Sequence, residues 1–149
     1  ATTLRCCLPS LRESAGRAVV ISSVMGKFSL AGSSAYCASK HALMGLCNCL
    51  RQELVGSGVT LTNILPGLVE SEIFKVDNDG EFHEDWLDKR PLKLVWTAER
   101  AASVMVRGIM QRKGEFTFTG HGKVLGFLGQ HLSGPLYGAM SHGGAKNVR

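Results

Sequence analysis

The first 14 residues place Leu4, Cys7, Leu8 and Leu11 at intervals of three and four among polar neighbours, and Gly16 follows where a helix would stop. The chain thus opens on a predicted helix. "AVVIS", residues 18 to 22, is an apolar run of β-branched residues, which predicts a strand buried on both faces. Residues 34 to 55 return to helical spacing and end at "GSG". "VTLTNIL", residues 59 to 65, predicts a second buried strand, stopped by Pro66 and Gly67. Strand, long crossover helix and strand make a right-handed βαβ unit with parallel neighbouring strands. The carboxyl ends of both strands, at residues 22 and 23 and at residues 66 and 67, then meet on the sheet edge where open α/β sheets bind ligands.

Residues 68 to 96 break the periodicity. Eight acidic residues, from Glu70 to Asp88, are interspersed there with Phe74, Phe82, Trp86 and Trp96, and so long an excursion predicts a lid or binding loop. Helical spacing resumes from Thr97, a fitting N-cap with Glu99 in the first turn, to Lys113. Ala102, Met105, Val106 and Ile109 are its predicted inner face, and Gly114 its stop. "EFTFT", residues 115 to 119, predicts a short strand. Residues 120 to 149 are rich in glycine, lack Asp and Glu, and hold an apolar cluster of Val124, Leu125, Phe127, Leu128 and Leu132. They are expected to form a loop running into a C-terminal tail that packs on the core or meets a second subunit. The organisation is therefore a domain over residues 1–119, with 68–96 as its lid segment, and a tail over 120–149.

A chain of 149 residues suits one domain, which at this size buries roughly 70% of its unfolded surface. The net charge of +5 comes without a long Lys/Arg run or aromatics among the basic residues, which argues against nucleic-acid binding and suits a small anionic ligand. Five cysteines without a C-x-x-C pair predict neither zinc nor a disulfide framework, and a reducing compartment. His121, His131 and His142 lack metal-ligand spacing, so no metal site is expected. No apolar run approaches the ~18 residues of a membrane span. The expected location is cytoplasmic, or membrane-associated if a segment upstream of Ala1 directs it.

"SAYCASKHALMGL", residues 34 to 46, sets Tyr36 and Lys40 four apart on a helix, where side chains share a face. An adjacent cation lowers the pKa of an acid by ~1–3 units, so a lysine beside a phenol favours a group able to exchange a proton with a carbonyl or alcohol oxygen. Taken alone, the pair also fits a helix-surface contact with the lysine stem lying along the protein. Ser23, thirteen residues before Tyr36, ends the first strand. Its hydroxyl can hold a substrate oxygen near the phenol, and it equally fits a turn or capping serine.

"VVISSVMG", "YCASK", "ALMGLCNCLRQEL" and "LTNILPGLVES", in this order and spacing, resemble the catalytic half of the short-chain dehydrogenase/reductase family over roughly residues 1–119. The resemblance implies an α/β fold, the C-terminal half of a Rossmann-like doubly wound parallel sheet. It implies an NAD(P)-dependent oxidoreductase that interconverts a carbonyl and an alcohol, with NAD or NADP as cofactor. Tyr36 would be the general acid/base, Lys40 its electrostatic partner and a ligand of the nicotinamide ribose, and Ser23 the residue that orients the substrate carbonyl. Pro66, Gly67 and Val69 match the segment that lies along the nicotinamide, and Ser71 stands where many members have threonine. A homo-oligomer follows from the same resemblance, through the helix carrying Ala35, Ala38, Ala42, Leu46 and Leu50. Packing against the sheet would account for that small-residue face equally well. The aromatics of residues 68–96 suggest an apolar substrate.

Two family features are missing. No glycine-rich turn follows a first strand, and no asparagine precedes Ser23 at the family's position. "TGHGKVLGFLG", residues 119 to 129, is a poor substitute for the turn, because Leu125 takes the third-glycine place and no acid follows. The expectation is a fragment whose isolated chain is inactive. The competing reading is a truncated, non-catalytic interaction or dimerisation module of the same fold.

Overall fold

The computed structural model describes residues 2–77, 79–87 and 90–144. Its regular elements are α1 (Thr2–Glu13), β1 (Arg17–Ile21), α2 (Ser34–Glu53), β2 (Thr60–Ile64), α3 (Ala98–Met110), β3 (Glu115–Phe116), α4 (Gly120–His131) and α5 (Ser133–Gly144), with short 3-10 turns at Val24–Gly26, Glu72–Lys75 and Leu92–Leu94. The strands pair in the order β1-β2-β3, all parallel. Ile64 stands opposite both Ile21 and Phe116, so the carboxyl ends of the strands lie level.

Alternation along β2 assigns the two faces. Leu61 joins Ala18, Cys47, Leu54 and Val59, against which Leu4, Leu8 and Leu11 of α1 and Leu50 of α2 pack. Ile64 joins Ala101 and Phe118, flanked by Val104, Met105 and Ile109 of α3. Helices therefore cover both faces of a parallel sheet, the doubly wound α/β class.

Burial of β2 matches expectation, with Leu61, Thr62, Asn63 and Ile64 all buried. For β1 it does not: Val19 and Ile21 are 39% and 50% exposed. Both lie on the α3 side, where the packed cluster draws on β2 and α3 but on no residue of β1. Strand propensity marked the run correctly, but cover depends on what packs across it.

The inner face of α3 is also turned from the expected one. Ala101 and Gly108 are buried and Val104, Met105 and Ile109 half-buried, whereas Ala102 and Val106 face solvent. Gly108 accounts for the turn, since a Cβ there would meet the Phe116 ring. In α2 the buried residues are Cys37, Met44 and Cys47, of which Cys47 packs with Ala18 and Leu61 of the sheet and Met44 Sδ meets Asn63 Nδ2. Ala35, Ala38 and Ala42 are exposed and Leu46 half-buried, so the alanines of that face do not pack on the sheet, whereas Leu50 at its end packs on the Ala18–Leu61 cluster. Cys7 of α1 is likewise exposed.

The largest correction concerns residues 119–144, expected as an irregular loop and tail and found as α4 and α5. Glycine weakens an isolated helix by roughly 1 kcal/mol relative to alanine, which is why the segment reads as loop. Here Gly122, Gly126 and Gly129 form one face of α4 and lie against Val24, Lys27 and Phe28. Their lack of side chains is what permits the helix to approach.

Candidate active site

The site is built where the strands end. Ser22 N–H donates to Ile64 C=O (2.8 Å) and Val24 N–H to Pro66 C=O (3.0 Å), joining the loop after β1 to the loop after β2. Between these bonds sits Ser23, buried, whose Oγ accepts from Met25 N–H at 3.1 Å and caps the Val24–Gly26 turn. The hydroxyl therefore has the capping role, and its own proton is left to donate.

Gly26 brings that turn onto α2. A Cβ there would lie 2.7 Å from Met44 Cγ and 2.9 Å from Lys40 C=O, distances only a glycine allows. Lys40 Nζ reaches down to Ile21 C=O at 3.4 Å and stands 5.4 Å from the centre of the Tyr36 ring. A cation at that distance interacts favourably with an aromatic face. Tyr36 itself lies in the first turn of α2 and is 43% exposed, open to a ligand at the sheet edge. Ser23, Tyr36 and Lys40 are thus gathered around the end of β1 by one capped turn, one glycine contact and one helical turn.

The segment after β2 is pinned from the other side. Trp96 N–H donates to Leu68 C=O (3.0 Å) and Glu70 N–H to Trp96 C=O (2.9 Å), which bridges Val69 to the far end of the lid segment. Arg90 donates to Val69 C=O at 2.7 Å. Ser71 Oγ accepts from Ile73 N–H at 3.1 Å, capping the next 3-10 turn. Within the lid, Asp77 accepts from the backbone of Asp79 and Glu81 and pairs with His83 at 2.7 Å. The His83 hydrogen bond and the Glu81 amide hold the Asp77 carboxyl below its ordinary pKa. Asp77, Glu81 and His83 bring possible ligand atoms within 4.8 Å of one another, and these contacts make them the lid's own turn chemistry.

His121, which the sequence marks only as a tail histidine without metal-ligand spacing, belongs to this edge. Its Nε2 accepts from Leu68 N–H at 3.1 Å, and burial lowers its pKa, so the neutral ring is favoured. No spacing signal in the sequence reaches across those 53 residues. Gly67 lies against both Thr119 Oγ1 and His121 Nε2. Replacing Gly67 by alanine is expected to cost ~1–3 kcal/mol of stability through overpacking, measurable as a lower denaturation midpoint; an unchanged midpoint would show that this contact can relax.

The residues present fit the nicotinamide-ribose end of a dinucleotide, with a cation and hydroxyls beside a backbone loop at a parallel sheet's carboxyl edge. They do not fit its diphosphate. In the glycine-bearing β3–α4 turn, the space beside Gly122 is taken by Thr119, Val24 and Thr117 side chains.

A parallel sheet with helices on both faces defines the class as a doubly wound α/β domain. Residues 2–81 match the family model of short chain dehydrogenase, and the chain belongs to that family. It is 33% identical over 140 residues to an uncharacterized oxidoreductase of Myxococcus xanthus, covering 93% of this chain and 51% of that protein. Mouse dehydrogenase/reductase SDR family member 7 is 45% identical over 73 residues, covering 48% of this chain and 22% of the relative. The chain therefore spans about half or less of the length of these curated relatives. A short chain dehydrogenase from Burkholderia cenocepacia, solved in complex with NADP, shares the fold at TM-score 0.73 and 15% identity, over 92% of this chain and 52% of that one. No helix among the described residues is long and apolar enough to cross a membrane.

Proposed function

We propose that this chain is the catalytic part of an NAD(P)-dependent oxidoreductase that interconverts a carbonyl and an alcohol. The observation that carries the reading is Lys40, whose ammonium lies between the Tyr36 ring and the carbonyl end of β1 while Gly26 presses the Ser23 turn onto the same helix. Lys40 would hold the ribose hydroxyls, and Pro66, Gly67 and Val69 would line the nicotinamide. When bound, the nicotinamide supplies the hydride acceptor or donor. Ser23 Oγ–H donates to the substrate oxygen and orients it. In reduction, Tyr36 Oη gives its proton to that oxygen as the C=O bond becomes C–O–H; in oxidation it accepts the proton back.

Substrate class follows from the lid, where Ile73, Phe82, Trp86, Leu87, Leu92 and Leu94 are large, apolar and exposed. An apolar ketone or secondary alcohol suits such a surface better than a sugar or a charged metabolite. The exposed alanines of α2 leave room for a second copy to pack there in the assembled enzyme. The test uses the protein that carries this chain together with the remaining half its relatives possess. Reduced nicotinamide should be consumed on addition of hydrophobic ketones and not of polar ones. A folded, cofactor-binding protein that turned over no carbonyl or alcohol in the panel would sink the proposal.

A further inference from the structure

α4 touches both loops on which the site depends. Through Gly122, Gly126 and Gly129 it lies on Val24, Lys27 and Phe28, the segment that follows Ser23. Through His121 it holds Leu68 N–H at 3.1 Å, just beyond Pro66 and Gly67. α5 adds a third hold, with Tyr137 Oη accepting from Ser29 N–H at 3.0 Å. The two loops are otherwise linked mainly by the bonds at the strand ends, Ser22 to Ile64 and Val24 to Pro66.

An imidazole nitrogen accepts a hydrogen bond only while unprotonated, so the bond from Leu68 requires a neutral ring with its proton on Nδ1. Gly67 makes the contact possible, because any side chain there would strike the ring. We infer that His121 is a positioning residue: its neutral imidazole clasps the residue 66–68 loop to α4, so that the Ser23 turn and the Pro66 loop keep one register, and its protonation opens the clasp. The consequence for the reaction rests on the reading above, in which that loop lines the nicotinamide.

Protonation is resisted rather than invited. The charged groups on the elements around His121 are Lys123 on α4, Glu70 and Arg90 about the 66–71 segment, and Lys27, which pairs with Glu115 at 2.7 Å. None of these sets the direction of its shift, which burial alone causes, downward. A depressed histidine pKa means that the unfolded chain takes up the proton first. The clasp's contribution to stability is therefore complete above the ordinary histidine value of about 6.5 and declines as pH falls from there to the folded-state pKa.

Amide hydrogen exchange at Leu68 tests this directly. His121→Ala should lower Leu68 protection roughly three- to tenfold, the range of one ordinary hydrogen bond. His121→Gln, whose side-chain oxygen can accept in place of Nε2, should restore it. Wild-type protection should fall on acidification below the His121 pKa, and that of His121→Gln should not. Unchanged Leu68 protection in His121→Ala, or identical pH profiles for wild type and His121→Gln, would overturn the inference. If the alanine variant does not fold, long-range nitrogen–proton spectra of the wild type decide: a proton on Nδ1 supports the clasp and a proton on Nε2 refutes it. None of these readouts needs cofactor or turnover. Failure of the clasp would leave the Tyr36 chemistry standing, and an inactive enzyme would leave the clasp standing.

Discussion

Replacing Tyr36 by phenylalanine is expected to lower turnover by about 10²–10⁴-fold, the usual contribution of a positioned acid/base, with cofactor affinity essentially unchanged. The variant keeps the ring that Lys40 faces at 5.4 Å, so the cation retains its aromatic neighbour and its bond to Ile21 C=O at 3.4 Å. Only the O–H is lost. A merely structural role for Tyr36 would predict no change in either quantity, because a residue 43% exposed contributes little to packing. The measurement is kcat against cofactor Kd in the protein that carries the whole fold. Retained turnover would remove Tyr36 from the reaction, and a parallel loss of cofactor binding would recast it as a binding residue.

Truncating Ile64 to alanine is the change expected to cost most stability, about 2–5 kcal/mol, from lost burial and the cavity left behind. That is a large share of the ~5–15 kcal/mol that typically holds a domain together. Ile64 is fully buried on the central strand, packs with Ala101 and Phe118, and has Val69 and Trp96 at its margin. Its carbonyl receives Ser22 N–H at 2.8 Å, so the residue supports both loops of the candidate site at once. Urea unfolding should show a lower midpoint with an unchanged slope. A loss under ~1 kcal/mol would mean that the α3 face is not close-packed.

Much of the candidate site was legible because it rests on short-range geometry. Tyr36 and Lys40 share a face because helical side chains four apart do, whatever surrounds them. Ser23 and the pair Pro66 and Gly67 reach one edge because parallel strands joined by a helix end together. Residues 18 to 22 form the expected strand for the same reason, but without two-sided burial: Val19 and Ile21 need a helix across them, and α3 packs on β2 and β3 and not on β1. The error over α3 has the same origin. Apolar identity pointed to Ala102 and Val106, but the Phe116 ring found its space over Gly108.

The tail shows the limit most clearly. Taken locally, its glycines are helix-weakening residues, and a loop is the reasonable expectation. In the fold three of them become the surface by which α4 approaches the Ser23 segment, and the resulting helix delivers His121 to Leu68. Backbone periodicity, crossover handedness and i to i+4 spacing are properties of neighbouring residues, and they could be read directly from the amino-acid order. Which faces are covered, which glycines are contacts and which histidine meets the site depend on surfaces brought together from distant parts of the chain. Those were decided only when the helices packed onto the sheet.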